Sequence, residues 1–262
     1  MTDTPIVSTQ QRHPKLLFAS ILLAGLIVLG NLGITLFVTN EAQKLLLIDV
    51  TYPLWDLWAM LGLGYAAWSA VRQSRRLALA WGCLAAAAGC AGIGNILWAF
   101  LELMQGGVPF PSLADVFYLL VYPLFLCGVL LLPTRYAKSS EWRSVMLDMI
   151  MVMLTAAIVF WQYVLGPTVA SVTQESLLGQ MVALAYPVGD LVLFWAVLVL
   201  LYRRADRQRV GPILLLTLGM GITIVVDSVY VVQVLRGTYI SAGLLDISWV
   251  VASLLYGIAG VW

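Results

Sequence analysis

The sequence predicts an all-α polytopic membrane protein with eight transmembrane helices. Of its 262 residues, 62% are hydrophobic and only 10% are charged, and the mean hydropathy is +0.96. A soluble domain of this length needs a charged surface, which this composition does not supply. Helices are the expected form of the spans, because lipid offers no hydrogen-bond partner to the open edge of a sheet. The lipid bilayer is therefore the expected surrounding of most of the chain.

Eight apolar runs are long enough to cross a hydrocarbon core of ~30 Å, which takes about 20 residues each. In chain order, the spans are predicted at 15–38, 48–71, 77–101, 113–132, 144–165, 178–202, 211–235 and 243–262. The first run is too long for the apolar core of a signal peptide, and no small-residue cleavage site with a polar sequence follows it. It is therefore predicted to remain as the first transmembrane helix.

Lysine and arginine are distributed very unevenly between the two sets of loops. One set holds Arg12, Lys15, Arg72, Arg75, Arg76, Arg135, Lys138, Arg143, Arg203, Arg204, Arg207 and Arg209, and the other holds Lys44 and Arg236. This division of 12 against 2 accounts for all 14 basic residues. Because basic loops stay on the cytoplasmic side of a membrane, both termini are predicted to be cytoplasmic.

The motif YPLWDL at Tyr52 recurs as YPVGDL at Tyr186, and the repetition extends well beyond it. Residues 49–132 align with residues 183–262, with small changes of register that short loop deletions would produce. The aligned pairs are Tyr52 and Tyr186, Pro53 and Pro187, Asp56 and Asp190, Arg75 and Arg209, Asn95 and Asp227, Trp98 and Tyr230, and Asp115 and Asp246. An even number of helices in each repeat gives both halves the same orientation. The predicted architecture is therefore two parallel four-helix repeats.

The repeat and the loops together predict four segments of the chain. A cytoplasmic N-terminal segment (1–14) precedes the first four-helix repeat (15–132). A basic cytoplasmic linker (133–143) leads from there to the second four-helix repeat (144–262). Equivalent residues of the two repeats are expected at equal depth in the membrane, because the halves are related by an axis along the membrane normal.

Polar residues within the spans collect on the outer side of the predicted midplane, with Asp148 near the inner end of helix 5 as the exception. They are Asp56, Asn95, Glu102, Asp115, Asp190, Asp227 and Asp246. The candidate ligand-binding residues are Asp56, Asn95, Asp115, Asp190, Asp227 and Asp246, together with Tyr52, Tyr118, Tyr186 and Tyr230. Each tyrosine follows or precedes a polar position by three or four residues, so the two share a helix face. These residues predict an outward-facing pocket between the halves.

Ionisable side chains are costly within a membrane and usually face the interior of the bundle. No lysine or arginine falls deep in a predicted span to pair with these acids. The carboxyl groups are therefore expected to be protonated, to accept hydrogen bonds from tyrosine, to face water or to bind a cation. Aromatic faces beside carboxylates suit an organic cation as well as a metal ion. A purely structural network that ties helices together is the other interpretation, and the sequence leaves both open.

Several classes of function are disfavoured by the residues that the chain contains. Its single histidine, His13, precedes the first span, so a bis-histidine haem site within the bilayer is excluded. The lysines lie at span ends or in loops, which disfavours a retinal Schiff base deep in the bundle. No phosphate-binding glycine loop, zinc-ligand set or nucleophile–histidine pair occurs. The sequence therefore indicates no catalytic residues, no metal ligands and no nucleic-acid partner, and it identifies no cofactor.

The run FPSLADVFYLLVYPLFLCGVLLLP (110–133) resembles part of a known family of membrane modules. These are the multi-helix N-terminal sensory modules of bacterial GGDEF and EAL signalling proteins, which make or degrade cyclic-di-GMP. The residues that carry the resemblance are Pro111, Ser112, Ala114, Asp115, Tyr118, Leu119, Tyr122 and Pro123. The resemblance implies a sensory input domain in a bacterial inner membrane. Since the chain stops at Trp262 without a GGDEF, EAL or kinase segment, a catalytic output domain is expected to follow it in a longer protein.

The leading hypothesis is a sensory module that binds a small ligand or cation from the periplasmic side and relays the binding to a cytoplasmic output domain. A homodimer is plausible for such a module, because its outputs commonly work in pairs. One alternative is a cation- or proton-coupled transporter or channel that uses the same acids as its path. Another is a structural or pigment-associated subunit of a larger membrane complex.

Overall fold

The computed structural model of the chain describes residues 14–132, 139–171, 176–202 and 210–262. Within these ranges the regular structure is helical, with no strand. Most of the predicted N-terminal segment (1–14) and half of the predicted linker (133–143) lie outside the described residues. So do the basic residues Arg12, Arg135, Lys138, Arg203, Arg204, Arg207 and Arg209.

Eight helical segments of the described chain are long and apolar enough to cross a membrane, which confirms the prediction of an all-helical chain with eight candidate spans. The helices are α1 (Pro14–Phe37), α2 (Glu41–Ala70), α3 (Arg75–Gln105), α4 (Leu113–Leu131), α5 (Ser139–Phe160), α6 (Gly166–Ser171), α7 (Leu177–Tyr202), α8 (Val210–Leu235) and α9 (Leu244–Val261). A single π-helical turn (Trp161–Leu165) joins α5 to α6, so these two helices form one span.

Two helices are longer than hydropathy alone predicts, because their ends are polar. The α2 helix begins at Glu41, where the side chain of Asn40 caps it by accepting a hydrogen bond from the backbone N–H of Gln43 at 3.2 Å. The α3 helix continues to Gln105 and ends where Gly106 adopts a left-handed conformation with φ of 72°. Glycine is favoured at such a helix end, because it has no Cβ to oppose positive φ.

Six of the helices form a closed ring of contacts. The α2 helix packs against α3, α3 against α4, α4 against α7, α7 against α8, α8 against α9, and α9 against α2. The α1 helix lies outside this ring against α9 and α2, and α5 lies outside it against α7. The ring therefore places α2, α3 and α4 on one side and α7, α8 and α9 on the other, with contacts at α2–α9 and α4–α7.

The two ends of the ring differ in charge. We call the end at which α2, α4, α7 and α9 begin the acidic end, since the buried carboxyl groups described below lie toward it. The opposite end is the basic end, where Lys15, Arg72, Arg75 and Arg76 lie at the start of α1 and the turn between α2 and α3. At the basic end, Arg76 Nε donates to the carbonyl oxygen of Leu131 at 3.0 Å, which satisfies the C-terminus of α4.

The core toward the basic end consists mainly of apolar side chains. Its largest fully buried side chains are Leu63, Leu84, Leu200, Leu216, Met220 and Val129. These residues lie near the end of α2, α4 and α7 and near the start of α3 and α8. Close packing of aliphatic side chains at this level leaves polar groups concentrated in the other half of the bundle.

The contact between α2 and α9 depends on three glycines. A Cβ atom on Gly62 would overlap the backbone of Gly257, and one on Gly260 would overlap the backbone of Gly62. Small residues let transmembrane helices approach until their backbones touch, and such contacts leave no side chain that can move aside. The α2–α9 contact is therefore a backbone contact that only glycine permits.

We expect Gly62→Ala to destabilise the protein and Gly64→Ala, two residues along the same helix, to leave it intact. The added methyl group at Gly62 meets backbone, which cannot relax, so we expect a loss of about 2 kcal/mol or more in the free energy of unfolding. A Cβ atom on Gly64 meets no atom within 4 Å, and alanine is the better helix former by about 0.5–1 kcal/mol. Thermal unfolding of both variants in detergent measures the difference, and equal melting temperatures would contradict the backbone contact.

Candidate functional site

The six predicted polar residues all lie inside the bundle. Four of them are buried, with exposed fractions of 5% for Asp56, 7% for Asp115, 1% for Asp190 and 4% for Asp246. The remaining two, Asn95 and Asp227, are half-buried. The costly polar side chains therefore face other helices and not the lipid, as the physics of the bilayer requires.

Asp56 is the centre of a hydrogen-bonded cluster that joins four helices. Its Oδ2 atom accepts from Asn95 Nδ2 of α3 at 2.6 Å, and its Oδ1 atom accepts from Ser253 Oγ of α9 at 2.8 Å. The hydroxyl of Tyr118 in α4 donates to Asn95 Oδ1 at 2.7 Å. We call Asp56, Asn95, Tyr118 and Ser253 the Asp56 cluster. Both oxygens of its carboxyl group have a donor, so its burial is compensated.

A second cluster has Asp190 and Asp227 at its centre. The hydroxyl of Tyr122 in α4 donates to Asp190 Oδ1 at 3.1 Å, and Trp249 Nε1 of α9 donates to Asp227 Oδ1 at 2.7 Å. The two carboxyl groups are also close enough to share a hydrogen bond. Such a bond needs a proton on one of them, because ionised carboxylates only accept hydrogen bonds. We call Asp190, Asp227, Tyr122 and Trp249 the Asp190 cluster.

Two glycines make room for the tyrosines of these clusters. A Cβ atom on Gly189 would lie 2.6 Å from Cδ1 of Tyr122, and one on Gly94 would lie 2.5 Å from Cε1 of Tyr118. Each glycine is on the helix that its tyrosine crosses. The phenol rings can therefore lie flat against a neighbouring helix and reach a polar group behind it.

Asp115 and Asp246 occupy the first turns of α4 and α9 at the acidic end. Asp115 Oδ2 accepts from the backbone N–H of Ser112 at 2.6 Å, and Asp246 Oδ2 accepts from the backbone N–H of Gly243 at 3.0 Å. These are helix-capping bonds, which also complement the helix dipole. Capping uses one oxygen of each carboxyl group and leaves the other oxygen for a further donor.

Tyrosines donate to both of these remaining oxygens. The hydroxyl of Tyr186 in α7 donates to Asp115 Oδ1 at 2.5 Å, and that of Tyr239, in the loop before α9, donates to Asp246 Oδ1 at 3.0 Å. Burial and the neighbouring carboxylate of Asp246 raise the pKa of Tyr239 well above its ordinary value. Tyr239 therefore stays a hydrogen-bond donor throughout the physiological pH range.

Aromatic rings connect the clusters to the capping acids. Tyr230 makes edge-to-face contacts with Tyr239 and Trp249, with ring centroids 4.8 and 5.7 Å apart. The rings of Tyr122 and Tyr186 also meet edge to face, with centroids 6.5 Å apart. Such pairs add about 0.5–1.5 kcal/mol each beyond the area that they bury. Aromatic pairs thus flank the polar residues in two groups, one around Tyr230 and one at Tyr122 and Tyr186.

The predicted tyrosines lie in this region, but their partners are on other helices and not on their own. Tyr186 shares a helix face with Asp190, yet it donates to Asp115. Tyr118 donates to Asn95 and not to Asp115, three residues before it. Tyr52 packs against an apolar cluster that includes Val250. Helical spacing therefore located the tyrosines and gave no information on what they bind.

Several residues of the site were not among the predicted ones. They are Ser112, Tyr122, Tyr239, Trp249, Ser253, Asp49 and Glu102. The alignment of the two halves contained a signal for Tyr122 and Ser253, because these positions correspond to each other at the same offset as Asp115 and Asp246. Tyr118 and Trp249 correspond in the same way. Nothing in the local sequence distinguishes Tyr239 from an ordinary loop residue.

No protein-family model matches the chain, and neither a curated protein nor a solved structure is significantly similar to it. Within the described ranges, no three or more His, Cys, Asp or Glu side chains are arranged as they would be around a metal ion. The chemistry of the site therefore has to be inferred from its own carboxyl, amide, phenol and indole groups.

We expect Asp227→Asn to remove a pH dependence of stability from the protein. The Asp190–Asp227 bond holds one proton, so it is intact at low pH and is replaced by repulsion between two carboxylates as the pH rises. An amide at position 227 donates to Asp190 without that proton, as Asn95 donates to Asp56. The variant should melt about 3 °C or more above the parent at pH 8 and differ less at pH 5.

The reciprocal variant is the control for this prediction. Asn95→Asp creates a second carboxyl pair, so it should lose more stability at pH 8 than at pH 5. Thermal unfolding of the parent and both variants at the two pH values measures these differences. A shift for Asp227→Asn that is the same at pH 5 and pH 8 would contradict the shared proton.

We expect Tyr122→Phe to destabilise the protein by about 1–3 kcal/mol, because it removes a hydrogen bond to a buried carboxyl group without changing the ring. Ser253→Ala removes the equivalent bond to Asp56 and should have an effect of similar size. Tyr163→Phe is the matched control, since Tyr163 is 66% exposed. The measurement is thermal or denaturant unfolding in detergent, and equal stability of Tyr122→Phe and Tyr163→Phe would rule out a role for the Tyr122 hydroxyl.

Proposed function

We propose that the chain is a membrane-embedded sensory input module that binds a small ligand or cation among the acids and aromatic rings of the acidic end. The single observation that carries this proposal is the position of the two clusters. Each bridges one of the contacts between the halves, through Ser253 to Asp56 at α2–α9 and through Tyr122 to Asp190 at α4–α7. A ligand that competes for these carboxyl groups therefore changes the contacts between the halves.

The proposal includes two parallel four-helix repeats, and matched hydrogen bonds support it. Ser253 donating to Asp56 corresponds to Tyr122 donating to Asp190, because the repeat alignment exchanges both partners. The corresponding bonds within the halves also match. They are Asn95 with Asp56 and Asp227 with Asp190, Tyr118 with Asn95 and Trp249 with Asp227, and Ser112 with Asp115 and Gly243 with Asp246.

The repeat is chemically unequal at one position, which favours a role in binding. The first half has an amide, Asn95, where the second half has a carboxyl group, Asp227. A structural network would be satisfied by an amide in both halves, since the amide forms the same bonds without a shared proton. The second half therefore retains an exchangeable proton, or a position for another cation, next to the α4–α7 contact.

The charge distribution supports the proposed direction of sensing. Basic residues at the end opposite to the acids favour a cytoplasmic location of both termini, and so a periplasmic entry for the ligand in a bacterial inner membrane. The α9 helix contacts α1, α2 and α8 and runs from Asp246 to the basic end. It is the element best placed to pass a change to a GGDEF, EAL or kinase domain that would follow in the parent protein, and such outputs favour a homodimer.

The apolar core argues against the alternative of a transporter or channel. A transport path needs polar groups or water on both sides of the midplane. Below the clusters, four leucine side chains are fully buried and belong to one hydrophobic core cluster. They are Leu63, Leu84, Leu200 and Leu216. The carboxyl groups of the two clusters thus lie on one side of this apolar layer. A binding module needs access from one side only.

We expect Asp190→Asn to mimic the occupied state and to change the arrangement of the two halves. Neutralising Asp190 has the same electrostatic effect as a cation bound to its carboxylate. We expect the ratio of the two arrangements of the halves to change about fivefold or more, which is the usual size of such a coupling. Spin labels at Leu131→Cys and Val261→Cys, at the basic ends of α4 and α9, report this ratio as a distance distribution. The native cysteines Cys83, Cys90 and Cys127 are replaced by serine in every sample.

The control for this experiment is Asp148→Asn, because Asp148 is exposed on α5 and distant from the clusters along the chain. It should leave the distance distribution unchanged. If Asp190→Asn also leaves it unchanged, the acids do not control the halves and the sensory role is wrong.

Vesicles that contain the purified chain separate the sensor from the alternatives. We expect proton, sodium and potassium fluxes equal to those of empty vesicles, because the apolar core closes the bundle. A flux above that level would favour transport and would count against the sensor. A colourless preparation would remove the pigment-associated alternative.

A further inference from the structure

Asp49 is a buried carboxyl group that the two clusters do not use. It lies two turns into α2 from the acidic end, and it is only 5% exposed. Its Oδ2 atom is inaccessible to water and has no hydrogen-bond partner in the described part of the chain. A buried acceptor without a donor costs about 1–3 kcal/mol or more, so such groups in native proteins call for an explanation.

The surroundings of Asp49 are acidic. Among the described residues, the ionisable side chains that interact with it electrostatically are Glu102 of α3 and Asp246 of α9, and both are acidic. The basic residues of this end do not neutralise them. Lys44 pairs with Glu41 at 3.8 Å, and Arg236 is exposed in the loop after α8. Three carboxyl groups from three helices therefore share a region in which the described part of the chain places no cation.

Aromatic rings complete this region. Tyr52 follows Asp49 by one helical turn in α2, and the ring of Tyr230 packs edge to face against Tyr239, whose hydroxyl donates to Asp246. Trp98 donates its indole N–H to Glu102 Oε2 at 2.8 Å, which fixes that carboxylate. Cations are attracted to the faces of such rings by about 0.5–2 kcal/mol, with the larger value where water is excluded.

The nature of the cation follows from the geometry. A calcium or magnesium ion needs several oxygen ligands at a common point, and in the described residues the acids do not converge in that way. An ammonium group needs less, because one N–H can donate to a single carboxylate while its remaining charge contacts aromatic faces. The free Oδ2 of Asp49 requires a donor, which a quaternary ammonium group does not have.

We propose that the region between the acidic ends of α2, α3 and α9 binds the primary ammonium group of a small organic amine. Asp49 accepts a hydrogen bond from the ammonium group, Glu102 and Asp246 supply the negative field, and the rings of Tyr52 and Tyr230 contact the charge. The proposal rests on the proposed ligand-binding function, and it assigns the class of ligand. It also explains why Asp49 Oδ2 has no donor among the described residues.

The test measures thermal stabilisation of the full chain, in detergent at constant ionic strength, by butylammonium chloride, tetramethylammonium chloride and potassium chloride. We expect butylammonium to raise the melting temperature by about 3 °C or more at saturation. Tetramethylammonium should bind about tenfold less tightly, because it cannot donate to Asp49. Asp49→Asn should weaken the butylammonium effect about tenfold or more.

Two further variants make the result decisive. Glu102→Gln should also weaken the stabilisation by butylammonium. This variant takes the place of Asp49→Asn in the test if Asp49→Asn does not fold. Asp148→Asn, on exposed α5, should leave the effect unchanged. Equal effects of butylammonium, tetramethylammonium and potassium, or an effect that survives both Asp49→Asn and Glu102→Gln, would overturn the amine assignment.

The outcome is independent of the spin-label experiment on Asp190→Asn. If butylammonium has no specific effect while Asp190→Asn changes the distance distribution, the sensory role stands and the amine class is wrong. If butylammonium binds through Asp49 while the distances do not change, the site exists and the sensory role is wrong.

Discussion

The need of Asp56 and Asp190 for hydrogen-bond donors on other helices determines how the two halves of this bundle meet. Asp56 and Asp190 lie in helices apolar enough to cross the membrane, and within the described residues neither forms a salt bridge with a lysine or arginine. Each instead accepts a hydrogen bond across a contact between the halves, from Ser253 and from Tyr122. Because an unpaired carboxyl group is so costly in this environment, these bonds specify which helices of one half meet the other.

Small residues are a condition for this arrangement. Gly62, Gly257 and Gly260 bring the backbones of α2 and α9 into contact, which puts Ser253 within reach of Asp56. Gly189 leaves the space that the ring of Tyr122 occupies on its way to Asp190. The polar clusters and the glycine contacts therefore depend on each other. A substitution that separates the backbones should also weaken the hydrogen bonds of the clusters.

The unequal chemistry of the two halves gives the arrangement its capacity to respond. Asn95 satisfies Asp56 permanently, whereas Asp227 satisfies Asp190 only while the pair holds a proton. An element with two arrangements can be biased by a ligand only if the ligand interacts unequally with them. The α4–α7 contact, where Tyr122 meets Asp190, is where such a difference would arise. The apolar core below it confines the response to changes in packing.

Hydropathy and charge along the chain were enough to predict eight apolar helices and to place six polar residues toward one end, because both depend on local sequence. Helix ends were less predictable, since polar caps such as Asn40 extend α2 beyond its apolar part. The partners of the acids were beyond prediction from local sequence. Tyr186 binds Asp115 across 71 residues, and Tyr122 binds Asp190 across 68. Helical periodicity relates residues within one helix, so only the packing of different helices decides which donor each carboxyl group receives.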